Sequence, residues 1–586
     1  IRTGVHNLGL PKVTAVAREI MEIDPYLKIT CFPDGLTEEN MDRFFSEGGD
    51  LDLFIDECDG LDMKVLGRWK AKELKIPVVM EASDRGMVDV ERFDLEPDRP
   101  LLHGMIDDLD PQKLKNLKTN EDKMPYMLDI VGLKTISTRA QASMLEIGET
   151  ISTWPQLASA ITYGGGITAD VVRRILLGQF SDSGRYYVDV EKIIGDGAPV
   201  SEEHLIKKPI PKFLEPDGDF GPELPKTAAP LLGESEVKEV VKAACHAPSG
   251  GNMQPWKWSS NKETFRLKRD QSLTGGFLDY GQMATHVALG TTLENADLAV
   301  KSLGYGTEIN YFPLPDHVDV IADLKVVKDG DIDPDDAYLA KHIFDRETNR
   351  NIEKGAPIEA AKFELLRKAG TKHGSGMIVV DDADHMREIA DVIAFAERFR
   401  IMHPEGHSNF NHEMRWTPEE AASGSGIDIA TVDVTVAEKA GFQLAQNPKV
   451  IEKLIEWKGG TAFEKLSRKS TGSAAALGFI TRSNHDLKDY VLAGRDLERT
   501  WIAANAAGLA VQPQSPVTFM LRRLSDKAGL SEEQFRSLSG AKEKLMKVLG
   551  EYTDQYPVFV FRMFNPAREV VRSQRRDSNL HFRLIG

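Results

Sequence analysis

Apolar positions in the first third of the chain repeat with two different periods. In VTAVAREIMEI (13–23) they recur every three to four residues, the spacing of one helix face. LDLFIDEC (51–58) is instead a short, nearly continuous apolar run of the kind a buried strand needs. LDMKVLGRWKAKEL (61–74) is again helical and IPVVMEAS (76–83) again strand-like. Strand–helix–strand at this length predicts a parallel sheet with crossover helices. SDRGMVDVERFD (83–94) is polar and charged and reads as a loop. It would line a site at the carboxyl edge of the sheet or form an ion-paired subunit contact, and the pattern does not choose between them.

The pattern breaks between 197 and 232, where prolines stand at 199, 209, 211, 216, 222, 225 and 230. Proline removes amide donors and fixes φ, so this stretch is expected to be an extended linker between residues 1–196 and 233–586. The C-terminal part contains an echo: GTTLENADLAVKSLG (290–304) and GRDLERTWIAANAAG (494–508) match at Leu293/Leu497, Glu294/Glu498, Leu298/Ile502 and Ala299/Ala503. Each reads as a long helix closed by a glycine. Either the region is an internal duplication or two amphipathic helices share a pattern. Residues 400–475 show little strand pattern and look like an insertion.

Length and charge narrow the possibilities. At 586 residues the chain is too long for one core, and roughly three or four domains are expected. A net charge of −18 argues against nucleic acid as the main partner. No run reaches the ~18 apolar residues of a membrane span, and no signal-like segment opens the chain, so a cytoplasmic location without membrane contact is expected. The three cysteines, Cys31, Cys58 and Cys245, lack the spacing of a zinc site. Cys58, beside Asp59, fits a structural thiol at a strand end better than a thiol carrier. His403, His407 and His412 have no accompanying carboxylate motif, and no metal site is assigned to them.

In ACHAPSGGNMQPWKW (244–258) a helix gives way to a turn with little side-chain bulk, followed by an aromatic strand. Such a turn either reverses the chain or brings bare backbone against a flat ligand. The motif resembles the FMN-binding turn of the nitroreductase family, which would set Pro248, Ser249, Gly250 and Asn252 against the flavin and ribityl. DRETNR (345–350) resembles that family's phosphate grip, with Arg346, Thr348 and Arg350 on the FMN phosphate. GLAVQPQSP (508–516) resembles the loop after the central helix, placing Pro513, Gln514 and Ser515 near the flavin ring. Arg575 and Arg576 in SQRRDSN would add to the phosphate pocket. The first half carries the turn and the second the arginines, so the resemblance implies one complete site per chain. It points to single-chain, pseudo-dimeric nitroreductases of the Acg type, with 400–475 as a lid.

GLPKVTAVAREIMEIDPYLKIT, DLFIDECDGLDMK and IPVVMEASDRGMVDVERFD resemble the ThiF/MoeB adenylating family. By that resemblance Lys12 would contact ATP phosphates and Asp59 would help hold Mg²⁺. The family's Gly-rich loop would precede Lys12, and the sequence begins at Ile1. The expected fold is therefore α/β: a Rossmann-like ThiF-type parallel sheet, incomplete at its start, followed by an α+β nitroreductase-like pseudo-dimer. The implied activity is hydride transfer from NAD(P)H through FMN to a small-molecule or peptide acceptor, with no side chain assigned as acid or base. The alternatives are a flavin-sequestering or sensing protein with a closed lid, and an ATP-dependent adenylating enzyme whose product the flavin domain oxidises. ThiF-like modules usually pair, so a homodimer through residues 1–196 is expected.

Overall fold

A computed structural model of the chain describes residues 4–133, 135–194, 215–227, 230–328, 333–353 and 356–585. It divides into two compact units, Ile1–Ile206 with Val434–Val450, and Lys207–Asp433 with Ile451–Gly586. Among the described residues no helix is long and apolar enough to cross a membrane.

The first unit is built on a four-stranded sheet of β1 (Phe54–Ile55), β2 (Val78–Ala82), β3 (Met87–Glu91) and β4 (Gly184–Tyr187), in that order. β1 and β2 are parallel and joined by the helix Leu61–Glu73, as the alternating pattern predicts, while β3 and β4 add on antiparallel. Residues 83–94 are therefore not the expected loop: Asp84–Gly86 turn the chain, and β3 is buried along its whole length. Its polar residues point inward because each has a partner. Asp89 accepts from Arg185 Nε at 2.8 Å and lies 3.1 Å from His103 Nε2, and Glu91 accepts from Arg68 Nε at 2.7 Å. Arg68 also binds Asp56, at the end of β1, which Lys64 Nζ reaches at 2.9 Å. A chain of buried opposite charges thus fastens the crossover helix to the sheet.

In the second unit, β5 (Trp256–Ser260), β6 (Thr264–Arg269), β7 (Gly306–Tyr311) and β8 (Val320–Val327) form one sheet. β9 (Gly376–Val380), β12 (Ala476–Arg482), β13 (Ala510–Pro513) and β14 (Tyr556–Phe564) form another. β10 (Met414–Arg415) and β11 (Ile427–Asp428) make a small parallel pair between them in the chain. The strand orders are β15-β5-β6-β8-β7 and β13-β14-β12-β9, where β15 (Phe582–Leu584) comes from the far end of the chain and pairs parallel to β5. The helices Met283–Ser302 and Leu487–Ala506 lie at the centre, and one hydrophobic core draws on both halves, including Trp256, Trp258, Leu289 and Leu293 with Trp501 and Ile502.

The two central helices cross where both are glycine. A Cβ added to Gly290 would lie 2.0 Å from the Val491 carbonyl oxygen, and one added to Gly494 would lie 2.0 Å from the Val287 carbonyl oxygen. One sequence shift carries Gly290 to Gly494 and Val287 to Val491, so the contact is reciprocal, as a pseudo-two-fold axis requires.

Residues 195–214 and 228–229 of the proline-rich stretch lie outside the described residues. The rest is strapped to the second unit rather than spanning freely. Carbonyl oxygens of Pro222 and Pro225 accept from Arg266 Nη1 at 3.1 Å and Asn261 Nδ2 at 2.7 Å, and Leu224 is buried. Likewise the helix Val436–Ala445, from the stretch expected to form a lid, belongs to the first unit, where Asn447 Nδ2 donates to Gln141 Oε1 at 2.9 Å.

Alanine in place of a solvent-exposed helical glycine normally stabilises by about 1 kcal/mol. At the crossing the added methyl meets fixed backbone, and overpacking of that kind costs roughly 1–3 kcal/mol. Gly290→Ala is expected to lower the urea midpoint of the second unit, followed through Trp256, Trp258 and Trp501; a raised midpoint would refute the close crossing.

Candidate functional site

The turn after the helix Glu234–Cys245 is held by three polar side chains of the first central helix. Thr291 Oγ1 donates to the Pro248 carbonyl at 3.0 Å, Thr292 Oγ1 to that of Ala244 at 2.8 Å, and Asn295 Nδ2 to that of Ala243 at 3.2 Å. Gly251, Asn252 and Gln254 all have positive φ, at 56°, 54° and 57°, and the Gln254 amide donates to Ser249 Oγ at 2.8 Å. Gly250 opens the short 3-10 turn that carries these residues. Glycine is required at 251 for a second reason: an added Cβ would stand 2.8 Å from Glu413 Cγ.

Arg346 comes from a different part of the chain and meets this turn. Its Nη2 donates to the His246 carbonyl at 2.7 Å, while His246 Nε2 lies 3.3 Å from the Arg346 carbonyl oxygen. The loop bearing Arg346, Thr348 and Arg350 is pinned to the second half. The Asn349 amide donates to the Val511 carbonyl of β13 at 3.0 Å, the Glu347 amide to Asn505 Oδ1 at 2.8 Å, and Trp501 Nε1 to the Glu347 carbonyl at 2.8 Å. The Arg346 guanidinium sits 5.2 Å above the Trp501 ring and 3.3 Å from Glu498 Oε1, with both side chains buried.

Arg346, Arg350 and Arg575 form a cluster of like charge. Burial, with Arg346 and Arg350 adding repulsion, pushes Arg575 down to about 9, and burial pushes Arg350 to about 10. All remain cations at neutral pH; burial is the main cause of the shifts, and at Arg575 the neighbouring arginines add repulsion. Arg346 Nη1 and Arg575 Nε make no hydrogen bond among the described residues. Arg350 Nη1 donates to Thr431 Oγ1 at 3.0 Å.

Other expected residues have different roles. Arg576 is built into the turn: its amide donates to Gln254 Oε1 at 3.1 Å and its guanidinium to the Met253 carbonyl. The side chains of Gln514 and Ser515 are buried; Thr471 Oγ1 reaches Gln514 Oε1 at 3.5 Å, and Ser515 Oγ donates to the Val560 carbonyl at 3.0 Å. Among the described residues no hydrogen bond links Pro513–Ser515 directly to the turn at 248–252. They connect to the arginine loop through Arg562, which donates to Gln512 Oε1 at 2.5 Å and to the Asn351 carbonyl at 2.7 Å. Thr348 is half-buried in that loop. The His403 ring stacks 4.3 Å from Phe277, with Nε2 3.0 Å from the Gly529 carbonyl.

Sequence reasoning missed Gln254, Gly424 and Glu498. Gln254 Nε2 donates to the Gly424 carbonyl at 2.8 Å, and Asn252 Nδ2 donates to the Gln574 carbonyl at 2.9 Å and to that of Gly424 at 3.3 Å. The turn, the 400–475 stretch and the late arginine segment therefore interlock. Gly424 is tight as well, since an added Cβ would lie 2.5 Å from the Arg575 carbonyl. Glu498 is the echo of Glu294, a match that signals duplication and not a site.

The ThiF family model matches residues 4–264. A relative in Mycobacterium tuberculosis (strain CDC 1551 / Oshkosh), the uncharacterized protein MT1398, is 31% identical over 576 residues, covering 98% of this chain and 78% of the relative. The chain belongs to the ThiF family. It is also similar to two proteins of that organism provisionally named NAD(P)H nitroreductases. With acg it is 25% identical over 209 residues, 34% of this chain and 59% of the relative; with MT3217 it is 27% identical over 158 residues, 26% and 44%.

In this ThiF-family chain, Lys12 starts the helix Lys12–Ile23 and is exposed, as is Asp59, two residues before the helix Leu61–Glu73. Cys58 is half-buried, and burial raises its thiol, the opposite of what an activated thiolate needs. Around Glu294, the counterpart of Glu498 in the other central helix, the charges are paired within the protein. Glu294 is bound by Arg495 Nε at 2.6 Å, Arg499 Nη1 at 2.7 Å and His373 Nε2 at 3.0 Å, while Asp496 accepts from the His373 and Ser375 amides at 2.8 and 3.1 Å. Burial alone would raise Glu294, but these cations hold it well below the usual carboxylate range. Glu498, with fewer partners, is pushed up to about 7 by burial, against the pull of Arg346.

A carboxyl whose folded pKa is raised stabilises most below its unfolded value and loses that contribution as pH climbs through the folded one. For Glu498 the window runs from about 4.5 to about 7. Glu498→Gln is expected to flatten the fall in stability across this range; melting curves at stepped pH that parallel wild type would contradict it.

Proposed function

We propose that the second unit binds FMN and moves hydride from NAD(P)H to a small-molecule or peptide acceptor. The observation that supports this most is the cluster of buried Arg346 with half-buried Arg350 and Arg575, in which Arg346 Nη1 and Arg575 Nε are left without hydrogen bonds among the described residues, beside a turn of low side-chain bulk. A phosphate dianion fits that donor set: it would take charge-assisted bonds from these groups and relieve their mutual repulsion. Flavin, when bound, supplies the two-electron hydride chemistry.

The chain's own part is positional. Arg346 and Arg350 would hold the phosphate, with Arg575 closing the ring of charge. Pro248, Ser249, Gly250 and Asn252 would present backbone and amide groups to the flat ring, with Pro513, Gln514 and Ser515 on the β13 side. The carbonyl of Gly424 would limit access, since it holds Asn252 and Gln254 from the 400–475 stretch. The similarity to proteins named NAD(P)H nitroreductases agrees with this reading.

One observation favours a second reading, a flavin-sequestering protein. The Asn252 and Gln254 amides are already satisfied by the Gly424 and Gln574 carbonyls, so the turn is closed by the protein itself. Anaerobic addition of NADPH or NADH to flavin-loaded protein separates the two. Rapid loss of the oxidised flavin absorbance is expected of a reductase, and persistent oxidised flavin of a sequestering protein.

Charge-assisted hydrogen bonds contribute about 1.5–3 kcal/mol each, so Arg346→Ala with Arg350→Ala should weaken FMN binding at least ~100-fold. Equilibrium dialysis against FMN measures this, and full occupancy in the double variant would remove the phosphate assignment.

A further inference from the structure

A cavity of the second unit shares no residue with the arginine cluster. It is a groove of about 630 Å³ lined by the helices Pro516–Leu521 and Glu532–Leu549, the start of β14, and residues Met283 and His485 near the starts of the two central helices. Its volume falls within the range of small-molecule sites. These two lining helices are an addition to the second half: β7 leads directly into β8, whereas β13 and β14 are separated by both of them. Nothing in the hydride-transfer reading uses them.

Two kinds of side chain converge there. Arg522 and Lys542 supply the positive charge, Arg522 also donating to Ser525 Oγ. Burial depresses His485, and Arg522 and Lys542, which line the groove with it, depress it further. Glu543 is the one carboxylate among the lining residues. The flat surfaces come from His485 and Tyr556, whose rings lie 4.3 Å apart at 59°, and from Phe535. In a chain of net charge −18, anions are repelled by most of the surface and gain only where cations locally prevail.

We infer that this groove is a binding site for a flat organic anion, an aromatic body carrying one carboxylate, sulfonate or phosphate group. The anionic group would meet Arg522 and Lys542, and the ring would lie against Tyr556, His485 and Phe535. A rigid aromatic ligand buries its area at little conformational cost, while the paired cations select against neutral analogues.

The test uses 8-anilinonaphthalene-1-sulfonate as probe on the full chain, followed by fluorescence. Saturable one-to-one binding is expected, with Arg522→Glu plus Lys542→Glu weakening it at least about tenfold. Arg346→Ala should leave the affinity unchanged, and the uncharged probe N-phenyl-1-naphthylamine should bind both proteins alike. Lys542→Gln alone, on a partly exposed helix face, should give a smaller loss of sulfonate binding with an unchanged circular-dichroism melt. The inference is overturned if the charge-reversed and Lys542→Gln proteins bind the sulfonate as wild type does, if binding never saturates, or if the loss follows Arg346→Ala instead.

Discussion

The second unit depends on how closely two helices can approach. Where Gly290 and Gly494 cross, each helix lies against the other's bare backbone, with no room for a methyl on either side. That approach removes the nearby side chains from water, and among them are two carboxylates, Glu294 and Glu498, at equivalent places in the two halves. A buried carboxylate must find cations or give up its charge. The two halves meet that demand in different ways. Glu294 is enclosed by Arg495, Arg499 and His373, and its neighbourhood is closed by internal ion pairs. Glu498 has Arg346 at a longer 3.3 Å, leaving a region in which positive charge exceeds negative. One pseudo-symmetric scaffold thereby carries two differently charged regions.

Buried ion pairs organise the first unit too, with a different result. Asp56, Lys64, Arg68, Asp89, Glu91, His103 and Arg185 are mutually compensated, and the network joins sheet and crossover helix. Breaking one partner of such a network exposes the rest to an uncompensated charge, so its members are tightly interdependent. In the second unit the compensation is incomplete around Arg346, Arg350 and Arg575.

Much of this was legible in the chain. The helices at 12–23 and 61–73 and strand β2 follow from apolar periodicity alone, and the central helices follow from their echo. β3 was not legible because Asp89 and Glu91 break the apolar run, and only their distant partners, Arg185, His103 and Arg68, make them interior residues. The described part of the proline-rich stretch docks on the second unit through carbonyl oxygens, which every residue possesses and no pattern advertises. Arg575 and Arg576 are adjacent and chemically alike, yet one joins the cation cluster and the other ties the turn to the tail. Only the path of the backbone separates those roles. The long reach of 434–450 to the first unit has the same character: a short helix in sequence, placed by contacts hundreds of residues away.

The segment from Gln574 to Leu584 carries Arg575, locks the turn through Asn252 and Gln254, and then pairs as β15 with β5, more than 300 residues earlier in the chain. A protein synthesised from its N-terminus therefore completes the first half's sheet and the cation cluster in one late event. Until those residues leave the ribosome, β5 keeps an open edge and the turn at 248–254 lacks its clasp. Assembly of the cation cluster thus waits for the emergence of residues 574–584, which makes an intact cluster a report that translation has run past residue 584.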